Sequence, residues 1–211
     1  MNGKKRYIAA MLLHAVLLVL ECIAFWPWPI LRELRYYTQL SNLLELFVSA
    51  AFVAEGVFRL RKGETQPSAC LRVLSYAATC VLTVTMLIVI FVLSPMRGTG
   101  GLKHLMLYQE MLYMHFLCPV IALVSFFCFE RTPQLTNRHL FFAMLPTLLY
   151  AAVTITLNVL NVMHGPYPFL YVHEQSVFMS CVWFTVVVGG AFLITWGLKK
   201  INTAAGKRTV G

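Results

Sequence analysis

A chain of 211 residues of which 59% are hydrophobic and only 12% charged falls outside the soluble class, where about 25% of residues are charged. With a mean hydropathy of +0.74 it reads as an integral membrane protein. The net charge of +9 needs no nucleic acid to explain it, because an anionic inner leaflet attracts such a chain.

Crossing ~30 Å of hydrocarbon takes about 20 helical residues at 1.5 Å each. Six apolar runs have that length, at 7–25, 36–58, 73–93, 111–129, 140–161 and 176–198. The first follows Lys4, Lys5 and Arg6, the charge pattern of a signal peptide. It ends, however, in "ECIAFWPWP", with no small-residue cleavage site, and is read as a helix. The third and sixth runs contain no charge. The connections "WPWP", "RLRKGETQPS", "SPMRGTGG", "ERTPQLTNR" and "HGPYP" are short and rich in turn formers. Barrel strands would alternate apolar and polar residues, so helices are the spanning element. The expected fold is all-α, one integral membrane domain over 1–211 built as a six-transmembrane-helix bundle.

With the N-terminus cytoplasmic, 13 of the 17 Lys and Arg fall on the inner side, leaving Arg32, Arg35, Arg97 and Lys103 outside. Both termini are therefore expected in the cytoplasm. Cys22, Cys70, Cys80, Cys118, Cys128 and Cys181 form no CxxC pair and mostly lie inside the apolar runs, as small hydrophobes rather than a disulfide framework.

Polar side chains in membrane helices are expensive and face the bundle interior. In the second run Thr38, Asn42, Glu45 and Ser49 follow a single helical stripe. Thr147, Thr154, Asn158 and Asn161 form a comparable stripe in the fifth, and His104, Tyr108, Met111 and His115 in the fourth. At 1.5 Å per residue Thr38 lies about 3 Å, and His115 about 6 Å, below the outer boundary. Asn158 and the loop "HGPYPFLYVH" reach the same level, so an outward-facing site within the membrane is expected there. Two readings stand side by side. Ser, Thr and Asn also serve as caps and interhelical hydrogen-bond partners, and Glu45, near mid-bilayer, is either protonated or paired. A buried imidazole such as His115 needs a partner and is a functional candidate.

His104, His115, His164 and His173 share the outer side but have no HxxxH spacing, so no metal site is expected. No Gly-rich phosphate loop or G-x-S-x-G elbow occurs, and no cofactor is expected. Gly189 and Gly190 read as a place of close helix packing.

"YYTQLSNLL" with Thr38, Ser41 and Asn42, "YMHFLCPVIAL" with His115 and Pro119, and "GPYPFL" with Tyr167, Pro168 and Phe169 together resemble, in that order and over nearly the whole chain, the androgen-induced/androgen-dependent membrane hydrolase family. The His-x-x-x-Pro spacing is that of its bacterial branch, although Ser125 stands where bacterial relatives often carry an acid. The resemblance implies a threonine-dependent hydrolase of fatty acyl esters, similar to those that cleave fatty acid esters of hydroxy fatty acids. Its nucleophile would be Thr38 and its base His115. Ser41, Asn42, Glu45, Asn158, Tyr167 and Phe169 are the residues expected around the substrate. Asn42, Asn158 or amides near Tyr167 are the expected oxyanion donors, and Glu45 or Asn158 the groups expected to orient His115. Membrane lipids or a fatty acyl ester are the expected partners, in a bacterial cell membrane with the site toward the outer leaflet.

Two other classes remain open at this level. Cys118, one turn from His115, could serve an acyltransferase. Polar stripes could also line the path of a transporter or a lipid-binding protein, for which broken or polar helices through the full thickness would be the sign.

Overall fold

The computed structural model of the chain describes residues 3–26, 33–132 and 134–207. The "WPWP" turn after Trp26, Arg32, Arg208 and the proline of "ERTPQLTNR" lie outside them. The described residues contain helices and no strand. They are α1 (Gly3–Phe25), α2 (Tyr37–Arg61), α3 (Ala69–Ile88), α4 (Ser94–Arg97), α5 (Gly101–Leu107), α6 (Cys118–Cys128), α7 (Asn137–Val159) and α8 (Val177–Lys207).

A helix covers each of the six apolar runs. Four are long and apolar enough to cross a membrane: α1, the stretch Ala69–Arg97 through α3 and α4, α7 and α8. The helix over Tyr113–Cys128 is shorter. Although 25 residues long, α2 is not among the four, since it carries the polar stripe together with Glu45, Glu55, Arg59 and Arg61. Helix α8 runs to Lys207, nine residues past the expected end at 198.

Helix α3 is the centre of the bundle. Its residues from Ser75 to Thr85 are all buried, and it packs against α2, α6, α7 and α8, while α1 packs against α2 and α6. Its start is fixed twice over. Ser68 Oγ accepts from the Leu71 N–H at 3.2 Å, an N-cap worth about 1 kcal/mol. The Ser68 N–H and Oγ each donate to the Glu55 carboxylate at 2.7 Å, tying the end of α2 to the start of α3. On the periphery, Phe141 and Leu149 of α7 and Phe178 and Leu193 of α8 are exposed. Apolar surface on this scale suits hydrocarbon rather than water.

Two π-helical turns interrupt the regular helix, at Val89–Leu93 and Tyr113–Leu117. Each is closed by a bond from residue i to i−5, Ser94 N–H to Val89 O and Cys118 N–H to Tyr113 O. Each is followed by a proline, Pro95 or Pro119, in the first turn of the next helix. Proline lacks an N–H, and its ring clashes with the carbonyl of residue i−4. That residue is Phe91 in one case and His115 in the other, the middle of each π turn. The same cause thus widens the ladder in both places.

The structure corrects three expectations. His104, Tyr108, Met111 and His115 do not share one helix: α5 ends at Leu107, Tyr108 is extended, and Gln109 takes a left-handed φ of 47°. His104 stacks on Tyr108, ring centroids 5.2 Å apart, both exposed. Asn161 is exposed with φ 57° just past α7, a helix stop, since asparagine tolerates the left-handed conformation. Gly189 and Gly190 have open space where a Cβ would stand, so neither mediates close packing.

Candidate active site

Thr38 is the second residue of α2, and His115 is the middle residue of the Tyr113–Leu117 π turn. Their side chains meet: Thr38 Oγ1 and His115 Nε2 are 3.2 Å apart, with 9% and 5% of the two residues exposed. His115 Nδ1 lies 2.6 Å from the carbonyl oxygen of Leu105 in α5. A carbonyl only accepts, so the proton sits on Nδ1 and Nε2 is left as the acceptor for the Thr38 hydroxyl. The backbone beside the pair is locked by Asn42, whose amide donates to the carbonyls of Thr38 at 2.8 Å and of Met114 at 3.3 Å. Ser41 Oγ also donates to Thr38 O, at 2.9 Å, and lies 2.9 Å from Thr85 Oγ1 on α3.

The pair forms part of the wall of an open cavity of about 600 Å³. Its other walls include Arg35, Gln39, Arg97 and the loop residues Pro166, Tyr167 and Pro168. Thr38 and Tyr167 also line a narrow apolar cleft of about 50 Å³, with Val84, Ile88, Ala151 and Phe169. Thr38 therefore stands where a polar cavity and an apolar cleft adjoin. Tyr37 and Tyr150, ring centroids 5.1 Å apart, line both that cleft and an apolar groove of about 590 Å³ along α7.

The loop is held against the pair. The Thr38 N–H donates to the Tyr167 hydroxyl at 3.4 Å, and the Tyr167 ring stacks on buried Phe169 at 5.2 Å and 11°. Burial pushes the Tyr167 hydroxyl above its ordinary value of 10.0, so it keeps its proton as a donor. Gly165 is required here: a Cβ would stand 2.6 Å from Leu170 O and 2.9 Å from Asn158 Nδ2. The loop is braced by His173 Nε2 on Asn158 O at 2.9 Å and by Gln175 Nε2 on Phe169 O at 3.1 Å.

Comparison with protein-family models, with curated proteins and with solved structures returns no match.

Of the expected residues, Thr38, His115, Tyr167 and Phe169 come together, and Ser41 and Asn42 support them from behind. Glu45 does not join them. Its Oε1 accepts from Ser49 at 2.7 Å and lies 3.5 Å from His14 Nδ1, because about two and three turns beyond Thr38 along the stripe the partner helix is α1. Asn158 is buried beneath Gly165 and does not line the cavity. Neither orients His115; the Leu105 carbonyl has that place. Asn42 is committed to two backbone carbonyls; the donors on the cavity wall are the Tyr167 hydroxyl, the Gln39 carboxamide and the guanidinium groups of Arg35 and Arg97. Cys118 is fully buried among Leu17, Leu82 and Ala122, away from the cavity. The role of Leu105 rests on a backbone atom and has no sequence signal. Arg97 and Gln39 could have been found by their position at the end of α4 and the start of α2, close in sequence to the loops around the pair.

Proposed function

We propose that this protein is an intramembrane hydrolase of fatty acyl esters with Thr38 as nucleophile and His115 as general base. It crosses the membrane six times with both termini cytoplasmic, in a bacterial cell membrane, and its site faces the outer leaflet. One observation carries the reading: a threonine hydroxyl 3.2 Å from an imidazole nitrogen whose opposite nitrogen is fixed 2.6 Å from a carbonyl, beside an open cavity. The likeness of the three motifs to the androgen-induced/androgen-dependent membrane hydrolases supports it.

In this reading His115 Nε2 takes the Thr38 Oγ1 proton as the oxygen attacks the ester carbonyl. The developing oxyanion receives hydrogen bonds from Tyr167 and Gln39. The tetrahedral intermediate collapses, the ester C–O bond breaks, and His115 returns the proton to the leaving alcohol. Water, deprotonated by the same imidazole, then attacks the acyl-threonine; the bond between Thr38 Oγ1 and the acyl carbon breaks, His115 returns its proton to Thr38 Oγ1, and the fatty acid leaves. The apolar cleft suits the acyl chain next to the carbonyl, and the wider cavity with Arg35 and Arg97 suits the more polar alcohol portion.

The test is labelling of the purified protein with an ester-mimicking phosphonate probe, with the adduct mapped by mass spectrometry. The expected adduct is on Thr38 and is absent in Thr38→Val. Labelling that persists in that variant, or maps to Cys118, overturns the reading.

A further inference from the structure

A second buried polar assembly lies about two to three turns beyond Thr38 along α2. His14 of α1 is its centre. His14 Nε2 is 3.2 Å from Glu130 Oε1, and His14 Nδ1 is 2.9 Å from Ser49 Oγ, which is 2.7 Å from Glu45 Oε1. Glu130 Oε1 also accepts from Ser125 Oγ at 2.5 Å, and Oε2 from Ser75 Oγ. His14, Ser49 and Glu45 are buried. Phe52 stacks on the His14 ring at 4.0 Å and 18°, fixing its plane. At one end Glu130 lines an open cavity of about 680 Å³ together with Arg6, Arg72 and Arg131. At the other, Glu45 Oε2 and both carboxylate oxygens of fully buried Glu21 have no hydrogen-bond partner among the described residues. The Cys118 thiol lies beside Glu21 without forming a bond of ordinary geometry.

We propose that Glu130, His14, Ser49 and Glu45 form a proton relay that carries a proton between water in this basic cavity and a carboxyl group inside the bundle. The three hydrogen bonds invert together without moving a heavy atom. A proton on Glu130 Oε1 passes to His14 Nε2, the Nδ1 proton passes to Ser49 Oγ, and the serine's own proton passes to Glu45 Oε1. One O–H bond is lost at Glu130 and one gained at Glu45. Ser49 is regenerated, and His14 changes tautomer with its ring held by Phe52. Imidazoles and carboxyls inside membrane helices are costly and serve such relays. The unpartnered oxygens of Glu45 and Glu21 are the second sign, because buried acceptors without donors are sites for protons or water. The charged and titratable groups around the chain are Glu21 on α1, Glu45 on α2, Arg72 on α3, Cys118 on α6, Glu130 and Arg131 after it, and Arg6 at the foot of α1. This relay is separate from ester hydrolysis.

The test is infrared spectroscopy of the full chain in lipid bilayers, following the C=O stretch of protonated carboxyl groups. Glu21→Gln identifies the Glu21 band and allows its subtraction. The expected result is a further band that grows on acidification, is absent in Glu45→Gln, and shifts within minutes of transfer to D₂O. His14→Gln and Glu130→Gln slow that shift on the order of tenfold, because exchange then waits on local opening. Absence of a Glu45 band at any pH overturns the relay. So does a band in the unmodified protein that stays unexchanged for hours, or one that exchanges equally fast in the His14 and Glu130 variants.

Discussion

His115 Nδ1 and the Leu105 carbonyl oxygen are 2.6 Å apart across a break between two helices, and this contact determines which nitrogen of the imidazole meets Thr38. The short helix α5 is thus a clamp on this imidazole. Disturbing either side of the pair should abolish chemistry while leaving the bundle intact. The prediction is that Thr38→Val and His115→Ala each lower ester turnover by about 10³-fold, and that the double variant loses scarcely more, since such residues act as a unit. Steady-state kinetics on the three purified variants checks this. Additive losses would mean that the two side chains do not share one mechanism.

Pro119 holds the π turn open at His115. In Pro119→Ala the restored N–H can bond the His115 carbonyl, and the turn can relax to regular α-helix. His115 would then rotate by about 100°, one residue's worth of helix, relative to α6. The expected outcome is a loss of turnover on the order of 10²-fold with thermal stability unchanged or raised. Full activity in that variant would show that the π turn does not position the base.

Tyr167 contributes both a ring and a hydroxyl, which can be separated. Tyr167→Phe keeps the stacking on Phe169 and should lower kcat by about 10²-fold, the usual cost of one oxyanion donor. Gly165→Ala keeps the hydroxyl group itself but forces the loop to shift against Asn158 and the Leu170 carbonyl, and should raise KM more than it lowers kcat. If Tyr167→Phe matched the unmodified enzyme, its hydroxyl would have no part in the oxyanion site.

Ala151 lines the narrow cleft beside Thr38. A phenylalanine there should fill the cleft and shift preference toward short acyl chains, by tenfold or more on the order expected for several displaced methylenes. The ratio of kcat/KM for long-chain and short-chain esters of one alcohol measures it. An unchanged ratio would place the acyl chain elsewhere.

The helical segments were legible because apolar runs of that length have few other solutions, and the stripe on α2 because Thr38, Asn42, Glu45 and Ser49 recur at helical period. What the stripe could not reveal was that it serves two neighbours. Thr38 meets His115 beside the cavity, while Glu45 and Ser49 meet α1. His14 and Glu21, seven residues apart on α1, were the available signal, being two ionisable side chains at two-turn spacing in an apolar helix. The break at Tyr108–Glu110 was hidden, because "LKHLMLYQEML" contains no proline or glycine to announce it. Asn158 was expected at the depth of the pair but lies beneath a glycine-permitted loop, and depth along a helix says nothing about azimuth.

The apolar groove along α7, lined by Leu145, Leu149 and Val153, opens among side chains that face hydrocarbon. A lipid ester would reach Thr38 by lateral diffusion in the leaflet rather than from bulk water. Its rate would then follow the mole fraction of ester in the bilayer or micelle. Adding inert detergent at constant ester and enzyme should slow turnover in proportion to the dilution of that surface, whereas an enzyme fed from water would hardly respond.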